Sequence, residues 1–190
     1  MPTVETQDAA AQFDRAYPWV VKSLRQSQLL EAWLRQCREG HGVPALANFS
    51  ALLAYREQSE LTVYHVVRDA GEVRFLVVKE GASFKALFGT SSKGRFLDEA
   101  MSPKAWQTAR VTLNECVHQA LPIYSAFAIQ ANDGERAIYE RLLLPFGSGS
   151  EVTSIMASLK TTSWTGNDKS LTRPEGHDVE YSFRAVIALG

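Results

Sequence analysis

The chain is poor in the features that mark secreted, zinc-bound or membrane-spanning proteins. It has two cysteines, Cys37 and Cys116, in 190 residues. They stand on separate segments with no CxxC pair, which excludes a zinc knuckle or a thioredoxin-like redox site. Both fall on the apolar stripes of predicted helices, where a free thiol packs as a small hydrophobe. Charge of one sign is also lacking: the formal net charge is -1. That removes the electrostatic case for wrapping nucleic acid or coating an acidic bilayer. No apolar run approaches the about 20 residues of a membrane helix. The stretch from Met1 to Ala11 carries Glu5 and Asp8 and no apolar core, so it does not read as a secretory leader. Internal repeats and low-complexity tracts are missing. These absences predict a cytoplasmic chain with no integral membrane segment and no nucleic-acid partner.

What is present is apolar periodicity of two kinds. Asp8 to Arg25 places Phe13, Tyr17, Val20, Val21 and Leu24 near helical spacing and predicts a helical arm, restarted at Pro18. A second helix is predicted to about Glu39, with Leu30, Trp33, Leu34 and Cys37 on one face and Gly40 as its terminator. Asn48 reads as the cap of a short helix through Phe49, Leu52 and Leu53. The period then changes to that of strands. Leu61 to Arg68 and Val73 to Lys79, joined by Asp69-Ala70-Gly71, predict a hairpin. Gly81 to Ala100 mixes aromatic residues with glycine and serine and predicts short helices and loops. Ser102 as cap and Pro103 at the first position open a long helix bearing Trp106, Ala109, Leu113, Cys116, Val117 and Ala120, which Pro122 closes. Three strands are predicted next: Ile123 to Gln130, Arg136 to Leu144 across an Asn132-Asp133-Gly134 turn, and Val152 to Lys160. Thr161 to His177 is polar and reads as a linker, and the apolar Val179 to Leu189 packs as either strand or helix. The domain reading is an N-terminal helical arm over 1–26, a main domain over 27–160, and a linker with an apolar segment over 161–190. An α+β fold follows, with helices on one face of an antiparallel sheet.

Three stretches carry a family resemblance. LLEAWLRQCREGHGVP (Leu29 to Pro44) resembles the helix-to-proline lead-in of a bacterial PAS-like family of often small, stand-alone proteins. FGTSSKGRFLDE (Phe88 to Glu99) resembles its glycine-containing "G…G-R-x-L-x-E" stretch, and YERLLLPFGSGSEVTSIMASL (Tyr139 to Leu159) resembles its "R-L-L-L-P-L" strand, loop and last strand. The match covers Leu29 to Leu159. Two departures stand out: Arg74 comes early in its strand, and Asn48-Phe49 replaces an acidic Asp-Pro pair. The resemblance implies a twisted five-stranded antiparallel sheet whose concave face is covered by the short helices and by the helix from Lys104. It further implies a ligand space between that sheet and those helices, and a homodimer contacting through the N-terminal helix and outer sheet face.

The residues themselves limit the chemistry. Gly89 to Phe96 has phosphate-loop glycine spacing, but Arg95-Phe96 stands where Lys-Ser or Lys-Thr is required, which excludes nucleotide hydrolysis. His118 on the long helix raises haem as a cofactor, yet it lies beside the apolar stripe and reads as a surface histidine. His65 shares its strand face with Val63 and Val67 and reads as a core or interface histidine. No histidine pair has metal-ligand spacing. Asn114-Glu115-Cys116 is not the Asn-Cys-Arg-like motif of a flavin photoreceptor, and no Gly-x-Ser-x-Gly elbow exists. Aromatic side chains do cluster in the segments expected to wall a ligand space. The candidate ligand contacts are Phe84, Phe88, Arg95, Trp106, Tyr124, Tyr139 and Arg141. Arg141 is singled out because it interrupts an apolar strand: it either faces solvent or is buried against an acid or a ligand anion. The expectation is a non-enzymatic sensory module that binds a small molecule or protein partner and signals through a separate protein. Its cofactor is unspecified and no metal is expected. A ligand-free adaptor and a small cone-shaped α+β enzyme are the rivals.

Overall fold

The computed structural model describes residues 12–40, 42–69, 71–88, 91–130, 136–165 and 178–189. In chain order these form β1 (Asp14–Ala16), a 3-10 turn at Pro18–Val20, α1 (Leu24–Gly40), α2 (Leu46–Ser50) and α3 (Tyr55–Ser59). The hairpin β2 (Leu61–Asp69) and β3 (Glu72–Lys79) follows, then α4 (Ala82–Phe88), α5 (Leu97–Ala100) and α6 (Pro103–Gln119). The chain continues with β4 (Ile123–Gln130), β5 (Arg136–Ser148), β6 (Glu151–Thr165) and β7 (Asp178–Ile187).

The expected hairpin, short helices, long helix and three strands therefore occur in the expected order. Ser102 caps α6 by accepting the Ala105 N–H at 3.3 Å, with Pro103 behind it. The Asn132-Asp133-Gly134 turn, residues 166–177 and His41 lie outside the described residues. Gly81 joins the hairpin to α4 where a Cβ would stand 2.3 Å from the Glu60 carbonyl oxygen, so only glycine lets the two backbones approach.

Four expectations are corrected. Among the described residues the sheet has seven strands in the order β1-β7-β4-β5-β6-β2-β3, and it is mixed rather than antiparallel throughout, because β1 runs parallel to β7. The five expected strands are the contiguous block β3-β2-β6-β5-β4, with every pairing antiparallel. Without β7 the strand β4 would leave a row of open N–H and C=O groups, and the apolar C-terminal segment satisfies them. The N-terminal helical arm is replaced, within the described residues, by β1 and one 3-10 turn. Pro18 withholds a helical N–H, while the edge of β7 offers partners: the Ala188 N–H donates to Ala16 O at 2.8 Å. The short helix expected to be capped by Asn48 starts instead after Ala45, with Asn48 inside it, as Phe49 is drawn against Phe146 at a centroid distance of 5.0 Å.

Finally, helices cover both faces rather than one. Thr112 of α6 meets Arg141 on β5, while α1 and α2 meet the opposite face, where Leu142, Leu144 and Phe146 are fully buried. Trp33 of α1 is fully buried and donates its indole N–H to Pro145 O at 2.7 Å. Gln26 adds two bonds from one amide nitrogen, to Ser158 O at 3.0 Å and Glu140 O at 3.3 Å, tying α1 across β5 and β6.

Candidate functional site

Strand alternation assigns each side chain to a face. Ser125 pairs with Arg141 on β5 and with Arg184 on β7, and Phe127 pairs with Tyr139. These residues share the side covered by α6. Tyr124, next to Ser125, pairs with Leu142 and Ala185 and points to the α1 side.

The α6 side is where aromatic and polar groups converge. The Arg141 guanidinium donates to the Thr112 hydroxyl, which itself donates to Ala109 O at 2.9 Å. The same guanidinium lies 5.6 Å from the Phe127 ring centroid, and Phe127 stacks on Tyr139 at 5.5 Å. Tyr64 of β2 is buried edge-on to Phe84 of α4 at 6.1 Å, and Phe75 of β3 meets Trp106 of α6 at 6.2 Å. Burial holds the Tyr64 phenol and the Cys116 thiol far above their ordinary values, with the Arg141 charge opposing both shifts. Burial also raises Tyr139. Tyr64, Cys116 and Tyr139 are thus held neutral by burial, with the Glu80 charge adding to the rise at Tyr64 and the Glu115 charge to that at Cys116.

Phe84, Trp106, Tyr139 and Arg141 accordingly belong to the α6 side. Tyr124 does not share that space. Its phenol is pushed up to about 12 by burial, with the Glu140 charge and hydrogen bond adding to the rise. Arg95 is exposed at the open edge of β3, where Val77 donates to its carbonyl and its own guanidinium bonds Glu99 O. Phe88 ends α4, and its side chain lies outside the described residues. Beside Arg95, Arg74 stacks 3.8 Å over the Phe96 ring and pairs with Asp98 at 2.8 Å and Glu99 at 2.7 Å, a brace between β3 and α5.

The sequence reading missed Thr112, Ser125, Tyr64 and Arg184 as companions of Arg141. The signal for Ser125 was a hydroxyl inside the apolar run Ile123–Ile129. Arg184 carried none, because its segment was undecided between strand and helix. His118 is exposed on α6, as expected of a surface histidine, and so does not reach the sheet as an internal haem ligand would. His65 is exposed rather than in the core, although it keeps the face of the buried Val63 through an unbroken register with β6. Both cysteines are buried and free. Among the described residues, no group of three or more His, Cys, Asp or Glu side chains could hold a metal ion, and no helix is long and apolar enough to cross a membrane.

No protein-family model matches the chain, and no curated protein matches it in sequence. Among solved structures, the chain is similar to light-oxygen-voltage domains. One, described with a flavin analogue, shares 13% identity at a TM-score of 0.42, over 62% of this chain and 85% of that one. The Rhodobacter sphaeroides LOV protein shares 14% at a TM-score of 0.40, over 57% of this chain and 62% of that one. An RNA-binding light-oxygen-voltage receptor shares 17% at a TM-score of 0.39, over 61% of this chain and 32% of that receptor.

Proposed function

We propose that the chain is a PAS-like sensory domain of the cytoplasm, not an enzyme, which takes a small molecule between its sheet and α6 and signals through a separate protein. The observation that carries this reading is Arg141. A guanidinium inside a sheet–helix layer is costly to desolvate, and a leucine there would pack at no such cost. Its retention beside Thr112, Tyr64 and a stacked aromatic pair is what a recognition site requires: apolar walls with a few convergent polar groups. A ligand that competes for the Arg141–Thr112 bond would favour a different seating of α6. Because α6 also contacts β7, and β7 carries β1, such a shift reaches both ends of the described chain.

Native mass spectrometry of the gently purified protein tests this. The expected result is a stoichiometric excess mass that is lost on denaturation. Bare chain at every collision energy, joined by no stabilisation from any compound of a metabolite panel, would sink the small-molecule reading.

One observation favours a second reading, a docking module. Tyr17 and Trp19 stack at 6.3 Å yet are 57% and 72% exposed, and Leu24 beside them is 75% exposed. Homodimerisation through this segment predicts that Trp19→Ala converts the dimer to monomer in sedimentation. A wild-type monomer at high concentration removes that use of the patch.

A further inference from the structure

We propose that the α6 side binds the carboxylate or phosphate group of a small anion across three residues that the sheet sets side by side: Arg141 on β5, Ser125 on β4 and Arg184 on β7. This rests on the small-molecule reading above and specifies the chemistry of the ligand. Ser125 is in register with both arginines, so all three side chains leave the same face. Neighbouring strands lie about 4.8 Å apart, which places the two arginine backbones about 10 Å from each other with the serine between them. Two guanidinium forks rising from such positions suit a single oxyanion approached from both sides.

Ser125 supplies the independent observation. It is 0% exposed, and its hydroxyl has no hydrogen-bond partner among the described residues. A buried hydroxyl left unsatisfied is a penalty that alanine would avoid at the same place in the strand, so the donor calls for an acceptor. Thr112 is different: its hydroxyl donates to Ala109 O and accepts from Arg141, so both of its roles are filled. Arg184 also lines a groove of about 310 Å³ together with Gln12, Asp14, Ser182 and Phe183.

The test is calorimetric titration and thermal unfolding of the full chain with sodium acetate, succinate, citrate and inorganic phosphate, each against sodium chloride at equal ionic strength. At least one probe should bind with defined stoichiometry and raise the unfolding midpoint above the chloride control. Ser125→Ala removes one hydroxyl and little volume, and Arg184→Gln keeps a polar side chain. Each should weaken that binding about tenfold or more while near-ultraviolet circular dichroism stays native. Equal midpoints in chloride and in every probe would overturn the proposal, as would binding that neither variant moves. A stoichiometric neutral ligand found by native mass spectrometry and indifferent to both variants would overturn it too, while leaving the sensory reading intact. Absence of any ligand removes both.

Discussion

The two faces of the sheet are built to different ends, and the contrast is sharpest at two adjacent residues. Leu142 is fully buried on the α1 side among Leu144, Phe146, Trp33, Leu30 and Phe49, all large and apolar. Arg141, one residue earlier, faces α6 among Thr112, Ser125, Tyr64 and the Phe127–Tyr139 stack. The α1 face packs large apolar side chains, and its polar intruder Gln26 gives its amide nitrogen to two sheet carbonyls while its Oε1, like the Ser125 hydroxyl, is buried without a hydrogen-bond partner among the described residues. What distinguishes the α6 face is the Arg141 cation set between sheet and helix, which packing alone does not call for.

The largest expected effect tests the stabilising face. Trp33→Ala leaves a cavity and orphans Pro145 O, and it should cost about 3–5 kcal/mol in urea unfolding. Next comes the adjacent pair. Leu142→Ala should cost about 2–5 kcal/mol, whereas Arg141→Met should change stability by less than about 1.5 kcal/mol, since a thioether of similar length replaces a half-buried charge. Equal losses at the two positions would break the contrast and make Arg141 a structural element.

A pH titration sharpens it further. The folded Tyr124 phenol titrates at about 12 against an ordinary 10, so folding favours its neutral form. That contribution is complete below pH 10 and is lost as pH rises from 10 towards 12. Alkaline unfolding should therefore be flatter over that window in Tyr124→Phe, and an unchanged slope would show that Tyr124 is not held as described. The smallest effect is local: Ser102→Ala removes the α6 cap and should cost about 1 kcal/mol in thermal unfolding, with the contrast between faces untouched.

Much of the fold is legible in the sequence because its signals are local. The Ser102-Pro103 start of α6, the β2–β3 hairpin and the apolar stripe Leu30, Trp33, Leu34 and Cys37 each depend on a few neighbouring residues. The site is legible only in part. Arg141 announces itself as a charge in an apolar strand, and Phe84, Trp106 and Tyr139 lie on its side of the sheet. Tyr124 was grouped with them because aromatic composition carries no information about facing, and one step along a strand inverts it. Arg184 was invisible because its partner strand β4 lies far earlier in the chain.

The sequence by itself determined the long helices α1 and α6 and the five strands β2 to β6 in their order along the chain, since periodicity, caps and turn residues act over a few positions. The tertiary structure decided how the sheet is completed and which residues meet on it. β7 joined β4, and β1 joined β7, because open backbone groups at a sheet edge select whatever apolar segment can reach them. The row Arg141–Ser125–Arg184 exists only through that long-range register, which no local pattern encodes.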